Sequence, residues 1–544
     1  MLNNLKWIAI GMFIGIILLF STSLFKQEIS QLKKTITEPV LYNNKTITVG
    51  RSFNNIGLDP AVTIDQESAR VTVNIYETLV AYDQDTIVPS LAKFWTVSED
   101  GLIWTFTLNE NIFFHDGTPL NAEAIAFNFN RWMDETSPYH AGNFRYWNIV
   151  FGDSPSIIKS VQSLSNNIVE IKLNKPYAPF LSTLTMPAFG IASPEAIMKY
   201  NEGLRLKPVG TGPYVLKSWD ENGEIVLEDN VNYWKERAKV KTIVFKSIST
   251  SEQRVEQLLS GDIQILDNLT SEEVDQLKNS SHIELIRRPL TNIGYLAMNQ
   301  DNSFLSNKGV RLAITSAVKS NMSKTGQING FCRQADTFVP PGIWGGNNAI
   351  RYRFIHPDTA KNFLRAYEPS EKVLRLLVMK EARPYFPDPD KTANLVKTAL
   401  KEMGIEVVII KQPWDVFMQT IQDGNYDLLL MGWIADVIDP DNFLHTFFSS
   451  ENIDAGLISN YSHYKNDTVD DLLTRARQTT DQEFRLSLYR EVQEIISDEV
   501  PMVPLVNTMT IVAVNTAISN FTPTATGLEP LNLLDYEMGP INEQ

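Results

Sequence analysis

VLRLLVMKEARPYFPDPDKTANLVKTALKEMGIEVVIIKQPWDVFMQTIQDGNYDLLLMGW, residues 373–433, is the most regular segment of the chain. It opens on VLRLLVM (373–379), an apolar run of strand length. From Thr392 to Met403 the apolar residues Leu395, Val396, Ala399, Leu400 and Met403 fall on one helical face, and Gly404 stops the helix. IEVVII (405–410) reads as a second strand, and WDVFMQTI (414–421) as a second helix with Val416, Phe417, Thr420 and Ile421 on one side. YDLLLMGW (426–433) is the third strand. Strand, helix, strand, helix, strand implies right-handed crossovers and a parallel sheet. The class is α/β.

In open α/β sheets, ligands bind outside the carboxyl ends of the strands. Three loops leave carboxyl ends here: EARPYFPDPD (381–390), KQP (411–413) and IADVIDPDN (434–442). They carry Arg383, Tyr385, Trp414 and several aspartates to one edge, beside Trp433 at the end of its strand. A cation, aromatics and a carboxylate facing one crevice form a recognition constellation. A lone arginine in a loop is ordinarily solvated, but Pro384 and Pro387 stiffen this loop. Trp414 reads equally well as core.

The aspartates divide by their local roles. Asp439-Pro440 ahead of DNFLHTFF is a helix start, with aspartate as N-cap and proline at the first helical position. Asp441 then falls in the first turn, where a negative charge suits the helix dipole. Asp436, three residues past the strand and before the helix, has no such role. It is the acid assigned to a ligand.

The full chain of 544 residues is too long for one core, so two or three domains are expected. A net charge of −16 excludes a nucleic-acid surface built on clustered Lys and Arg. Cys332 is the single cysteine, so no intramolecular disulfide forms, and its setting beside Phe331 suits an inert thiol. Lys6 precedes the apolar run WIAIGMFIGIILLF (7–20), followed by Ser21-Thr22-Ser23. Residues 1–25 therefore fit both a cleaved secretory signal and an uncleaved membrane anchor. No cysteine follows the run, which excludes a lipoprotein-type lipid anchor; residues 26–45 read as a tether.

Further strands and helices are expected at KTITVGRS (45–52), WTFTL (104–108), NAEAIAFNFNRWM (121–133), KTIVFKSI (241–248) and SEQRVEQLLSGDIQIL (251–266). VGTGPYVLKSW (209–219) is a glycine turn entering a strand, without the third glycine of a dinucleotide fingerprint. There is no G-x-S-x-G, H-E-x-x-H, P-loop or C-x-x-C, and the six histidines lack metal-ligand spacing. No enzyme activity, cofactor or metal is expected. An exported hydrolase is the weaker reading.

Residues 79–134, LVAYDQDTIVPSLAKFWTVSEDGLIWTFTLNENIFFHDGTPLNAEAIAFNFNRWMD, resemble the signature region of the family 5 extracellular solute-binding proteins. That family serves ABC importers of peptides and nickel. The likeness continues through PVGTGPYVL (208–216), NYWKERAKVKTIVF (232–245), NIGYLAMNQ (292–300), VRLAITSAV (310–318), PPGIWG (340–345) and GWIADVIDPDNF (432–443). It spans about 46 to 540 in the family's order and is nearest to the dipeptide-binding members.

The resemblance implies a two-lobe periplasmic-binding-protein fold of the type II, large-cluster kind, with mixed sheets, an inserted subdomain and a hinge. The implied division is 46–84, 207–294 and 512–544 for lobe I, 85–206 for the insert and 295–511 for lobe II. It also implies that Arg383 and Tyr385, in the motif R-P-Y, meet the peptide carboxylate. Trp414 and Trp433 line the site, and Asp436, three residues after the G-W pair, holds the α-ammonium. The implied partners are a short peptide and the permease subunits of an ABC importer in the inner membrane. The implied protein is a monomer in the periplasm, with residues 7–25 as its one candidate anchor. Haem, antimicrobial peptides and a nickel chelate remain alternative cargoes. The lack of the family's usual acid in SNMSKTGQINGFCRQADT (320–337) bears on ligand class.

Overall fold

The computed structural model describes residues 46–52, 57–63, 65–152, 156–220, 223–324, 331–350, 355–365, 367, 372–453 and 459–536. The expected signal or anchor (1–25) and tether (26–45) lie outside them. Among the described residues, no helix is long and apolar enough to cross a membrane.

Two large mixed sheets organise the chain. The first has seven strands in the spatial order Ile283–Arg287, Ile511–Asn515, Ile265–Leu266, Thr46–Arg51, Thr242–Ser247, Ile225–Asp229 and Tyr214–Trp219. The second has six, in the order Cys332–Gln334, Met502–Thr508, Asn292–Met298, Leu428–Ile434, Val373–Met379 and Glu406–Gln412. A four-stranded antiparallel sheet between residues 92 and 173 is covered by helix Ala122–Met133 and has its own aromatic core, including Phe106, Phe129, Trp132 and Phe180.

The expected βαβαβ unit sits in the six-stranded sheet. Val373–Met379 pairs in parallel with Glu406–Gln412 on one side and with Leu428–Ile434 on the other. Helix Pro389–Lys401 starts three residues earlier than its periodicity indicates, because Asp388 caps it and Pro389 suits the first turn. Its face Leu395, Val396, Ala399 and Leu400 is buried, as the spacing requires.

The chain passes between the two large sheets at 288–291 and again at 509–510. The first passage falls ahead of the expected boundary at 294. The reason is pairing: Asn292–Met298 is matched along its whole length with Leu428–Ile434, so the strand belongs to the six-stranded sheet from its first residue.

Candidate functional site

The loop that follows strand Val373–Met379 at the carboxyl edge of the six-stranded sheet is seated on a pair of glycines. Gly294 and Gly432 face one another in adjacent antiparallel strands. A Cβ on Gly432 would lie 2.3 Å from the Tyr385 ring, and one on Gly294 would lie 2.7 Å from the Phe386 ring. Two missing side chains thus leave a trough in the sheet surface where both rings lie. The turn is closed by mutual backbone hydrogen bonds between Arg383 and Phe386, of 3.1 and 2.8 Å.

Tyr385 is buried, at 6 % exposure, with its hydroxyl 4.0 Å from the Met431 sulfur. Burial pushes its phenol above the ordinary range, so it stays neutral. Arg383 leaves the turn and lays its guanidinium 4.2 Å from the centre of the Trp414 ring. Trp414 is the first residue of helix Trp414–Gln422 and stacks in turn on Phe417. The half-buried Arg383 has its Nε shielded from water with no hydrogen-bond acceptor. No carboxylate pairs with it among the described residues.

A second group forms around Asn442. Its Oδ1 accepts from the Trp433 indole nitrogen at 3.1 Å and from the backbone nitrogen of Asp436 at 3.0 Å. Its Nδ2 points back to Asp436 Oδ2 at 3.5 Å. Across the interface, the Tyr146 hydroxyl donates to Asp436 Oδ1 at 3.4 Å. Tyr146 comes from helix Arg145–Val150, in the subdomain of the four-stranded sheet. Asp436 has no cationic partner among the described residues. Its burial raises its pKa from 3.8 to about 6, against the weaker pull of Asn442 and Tyr146. Tyr146 is in turn pushed up, first by the charge of Asp436 and then by burial.

All five residues picked from the sequence therefore lie on or just beyond the carboxyl ends of adjoining parallel strands. The structure puts Arg383 with Trp414, Tyr385 on Gly432, and Trp433 with Asp436 through Asn442. No hydrogen bond or ion pair joins the first group to the last among the described residues. Tyr146, Asn442 and the glycine pair were not singled out by the sequence. Asn442 reads only as a first-turn residue there, and nothing near Tyr146 in the chain marks it as facing Asp436.

The role expected for Asp439 is corrected. The helix runs Asp441–Phe448 with Pro440 at its N-cap and no side-chain cap. Asp439 accepts one hydrogen bond from the backbone of Asp441 at 2.9 Å. Its main partner is Arg485, which grips both carboxylate oxygens at 2.9 and 2.8 Å in a buried setting. The guanidinium fork, supplied by helix Gln482–Glu499, outcompetes the capping geometry.

Among the described residues, no group of three His, Cys, Asp or Glu is placed to hold a metal ion. A cation and a carboxylate thus share one sheet edge, each without a counter-charge among the described residues, with the neutral Tyr385 beside the first and Tyr146 against the second.

Residues 86–455 match the family model of the bacterial extracellular solute-binding proteins, family 5. The chain belongs to that family. It is 30 % identical to the dipeptide-binding protein of Escherichia coli over 447 residues, covering 79 % of this chain and 83 % of the relative. It is 28 % identical to haem-binding protein A of Haemophilus influenzae, covering 87 % and 89 % of the two chains. Among solved structures it resembles an ABC transporter-associated periplasmic binding protein of Helicobacter pylori in complex with the peptide STSA. That match has a TM-score of 0.77 at 30 % identity, covering 91 % and 98 % of the two chains. The family's fold is the one found here, two lobes built on mixed sheets.

Proposed function

We propose that the protein is the extracytoplasmic solute-binding subunit of an ABC importer, and that it takes short peptides, dipeptides first, by their charged ends. The observation carrying this is that Arg383 and Asp436 share one sheet edge while neither has a counter-charge among the described residues. The α-carboxylate would meet Arg383 beside Tyr385 and Trp414, and the α-ammonium would meet Asp436 beside Trp433. An extended dipeptide separates its charges by ~6–7 Å, at about 3.3–3.6 Å per residue. Fixed counter-charges therefore measure ligand length, while side chains are left to roomy, wet pockets.

Two passages between the lobes suit a hinge that closes on the ligand. The domain carries out no chemistry: it acts as a monomer that hands its cargo to a membrane permease, with ATP hydrolysed by other subunits. Residues 7–25 take the chain out of the cytoplasm to the periplasm, as a signal or as an inner-membrane anchor.

The test is mass spectrometry of ligand that co-purifies with the native protein, followed by calorimetry with zwitterionic dipeptides. Recovered peptides and saturable heat support the reading. Recovery of haem or a nickel chelate, with no heat from dipeptides, would overturn it.

A further inference from the structure

Besides the contact of Tyr146 with Asp436, the subdomain of the four-stranded sheet touches the six-stranded lobe at a separate place. There Ala178 donates its backbone N–H to the carbonyl of Arg477 at 2.7 Å. The Arg477 guanidinium lies 5.0 Å from the centre of the Tyr177 ring. Tyr177 is buried in the aromatic core of its own subdomain, edge-on to Phe151. Arg477 lies in the last turn of helix Asp467–Gln478 and is held from its own side by Asp441 at 3.2 Å, the His445 ring at 2.8 Å and Glu451 at 3.5 Å. The Glu451 carboxyl, held down to about 2 first by His445 and also by Arg477, feels the charge of Lys175 from the facing loop. Nearby, Val437 buries itself in the aromatic core of the subdomain, and Tyr82 accepts from the backbone nitrogen of Ile438 at 3.2 Å.

These contacts unite the loop 175–178 with a cation whose carboxylates all belong to the other lobe. Arg477 keeps its acids whether the lobes are together or apart. The Tyr177 ring and the Ala178 N–H are available to it only when they meet. None of these three residues belongs to the proposed peptide site.

We propose that Arg477 and Tyr177 form a closure clamp that sets affinity without contacting cargo, so that it scales the binding of every ligand by one common factor. This rests on the peptide-binding reading above. When only the closed state binds tightly, the apparent dissociation constant is the intrinsic one divided by the closed fraction. Losing a desolvated cation–π contact lowers that fraction, and Tyr177→Leu is expected to raise Kd about 5- to 30-fold. Ligand preference stays as it was. Arg477 and Tyr177 are positioning residues in this scheme.

The experiment measures Kd for Ala-Ala and Phe-Glu in wild type, Tyr177→Leu and Lys175→Glu, with small-angle scattering of each protein without peptide. Lys175 is exposed, so its reversal beside Glu451 opposes closure without disturbing a core. Equal weakening for both peptides in each variant, with a larger radius of gyration than wild type, is the expected result. Weakening that differs between the peptides would place Tyr177 in the ligand site, and unchanged Kd and scattering in Lys175→Glu would remove the clamp. If neither peptide binds wild type, the peptide reading fails, while the scattering comparison still decides the clamp.

Discussion

The Arg383 guanidinium lies 4.2 Å over the Trp414 ring, and no carboxylate among the described residues neutralises it. A cation on an aromatic face keeps its in-plane N–H donors available to a ligand carboxylate. Arg383→Gln is expected to weaken dipeptide binding by roughly 30- to 4,000-fold, the effect of removing one partner of a buried charge pair. Trp414→Leu removes only the platform and is expected to weaken it about 2- to 30-fold. Calorimetry with one dipeptide ranks the two; a larger loss in Trp414→Leu would reverse their assigned roles.

Asp436 carries the opposite assignment. Asp436→Asn is expected to weaken a free dipeptide roughly 30- to 4,000-fold. An N-acetylated dipeptide has no ammonium; it binds wild type poorly and loses little more in the variant. Equal affinity of wild type and Asp436→Asn for the free dipeptide would remove Asp436 from the site.

The same carboxyl makes stability and binding run oppositely with pH. Its folded pKa of about 6 exceeds the ordinary 3.8, so between those values the folded state holds the extra proton. The contribution of this group to stability is therefore full below about 3.8 and is lost as pH rises through about 6. Affinity for an ammonium group rises across the same window and levels off above it. The rise from 3.8 to about 6 corresponds to at most about 3 kcal/mol. Asp436→Asn is therefore expected to stabilise the empty protein at pH ~7 while abolishing tight binding. Urea melts at pH ~4 and pH ~7 check this: the gain belongs at the higher pH and vanishes at the lower.

Asp439 and Arg485 form a buried, two-pronged pair, and Asp439→Ala strands the guanidinium. A loss of about 3–5 kcal/mol is expected, well above the ~0.5–2 kcal/mol of a lost helix cap. Replacing both partners with apolar residues restores much of it. Denaturant melts of the single and double variants read this directly, and a loss within the capping range would reinstate the simpler role.

Gly432→Ala pushes a methyl into the Tyr385 ring at 2.3 Å and toward the Ile293 carbonyl at 2.6 Å. Overpacking of this kind costs about 1–3 kcal/mol. Because the turn that carries Arg383 rests on that ring, peptide affinity is expected to fall along with the melting temperature. A variant with wild-type affinity would show that the turn does not depend on its seat.

Local pattern in the chain suffices for the parallel unit at 373–433, the edge at which its loops emerge and the five side chains placed there. Each follows from local periodicity: a helical face recurs within four residues, an apolar strand declares itself in seven, and strand–helix alternation dictates the crossovers. Asp436 stands apart in the sequence for the same reason, since capping is a matter of near neighbours and it had none to cap.

What those side chains touch depends on the fold as a whole. Tyr146 and Asp436 are 290 residues apart, and Asp439 and Arg485 are 46 apart. Gly294 and Gly432 become one trough only once their strands pair. A hydrogen bond or ion pair is chosen by geometry in space, and local patterning does not report which distant donor arrives first. That is why Asp439 reads as a cap in the chain and serves as the anion of a buried pair in the fold.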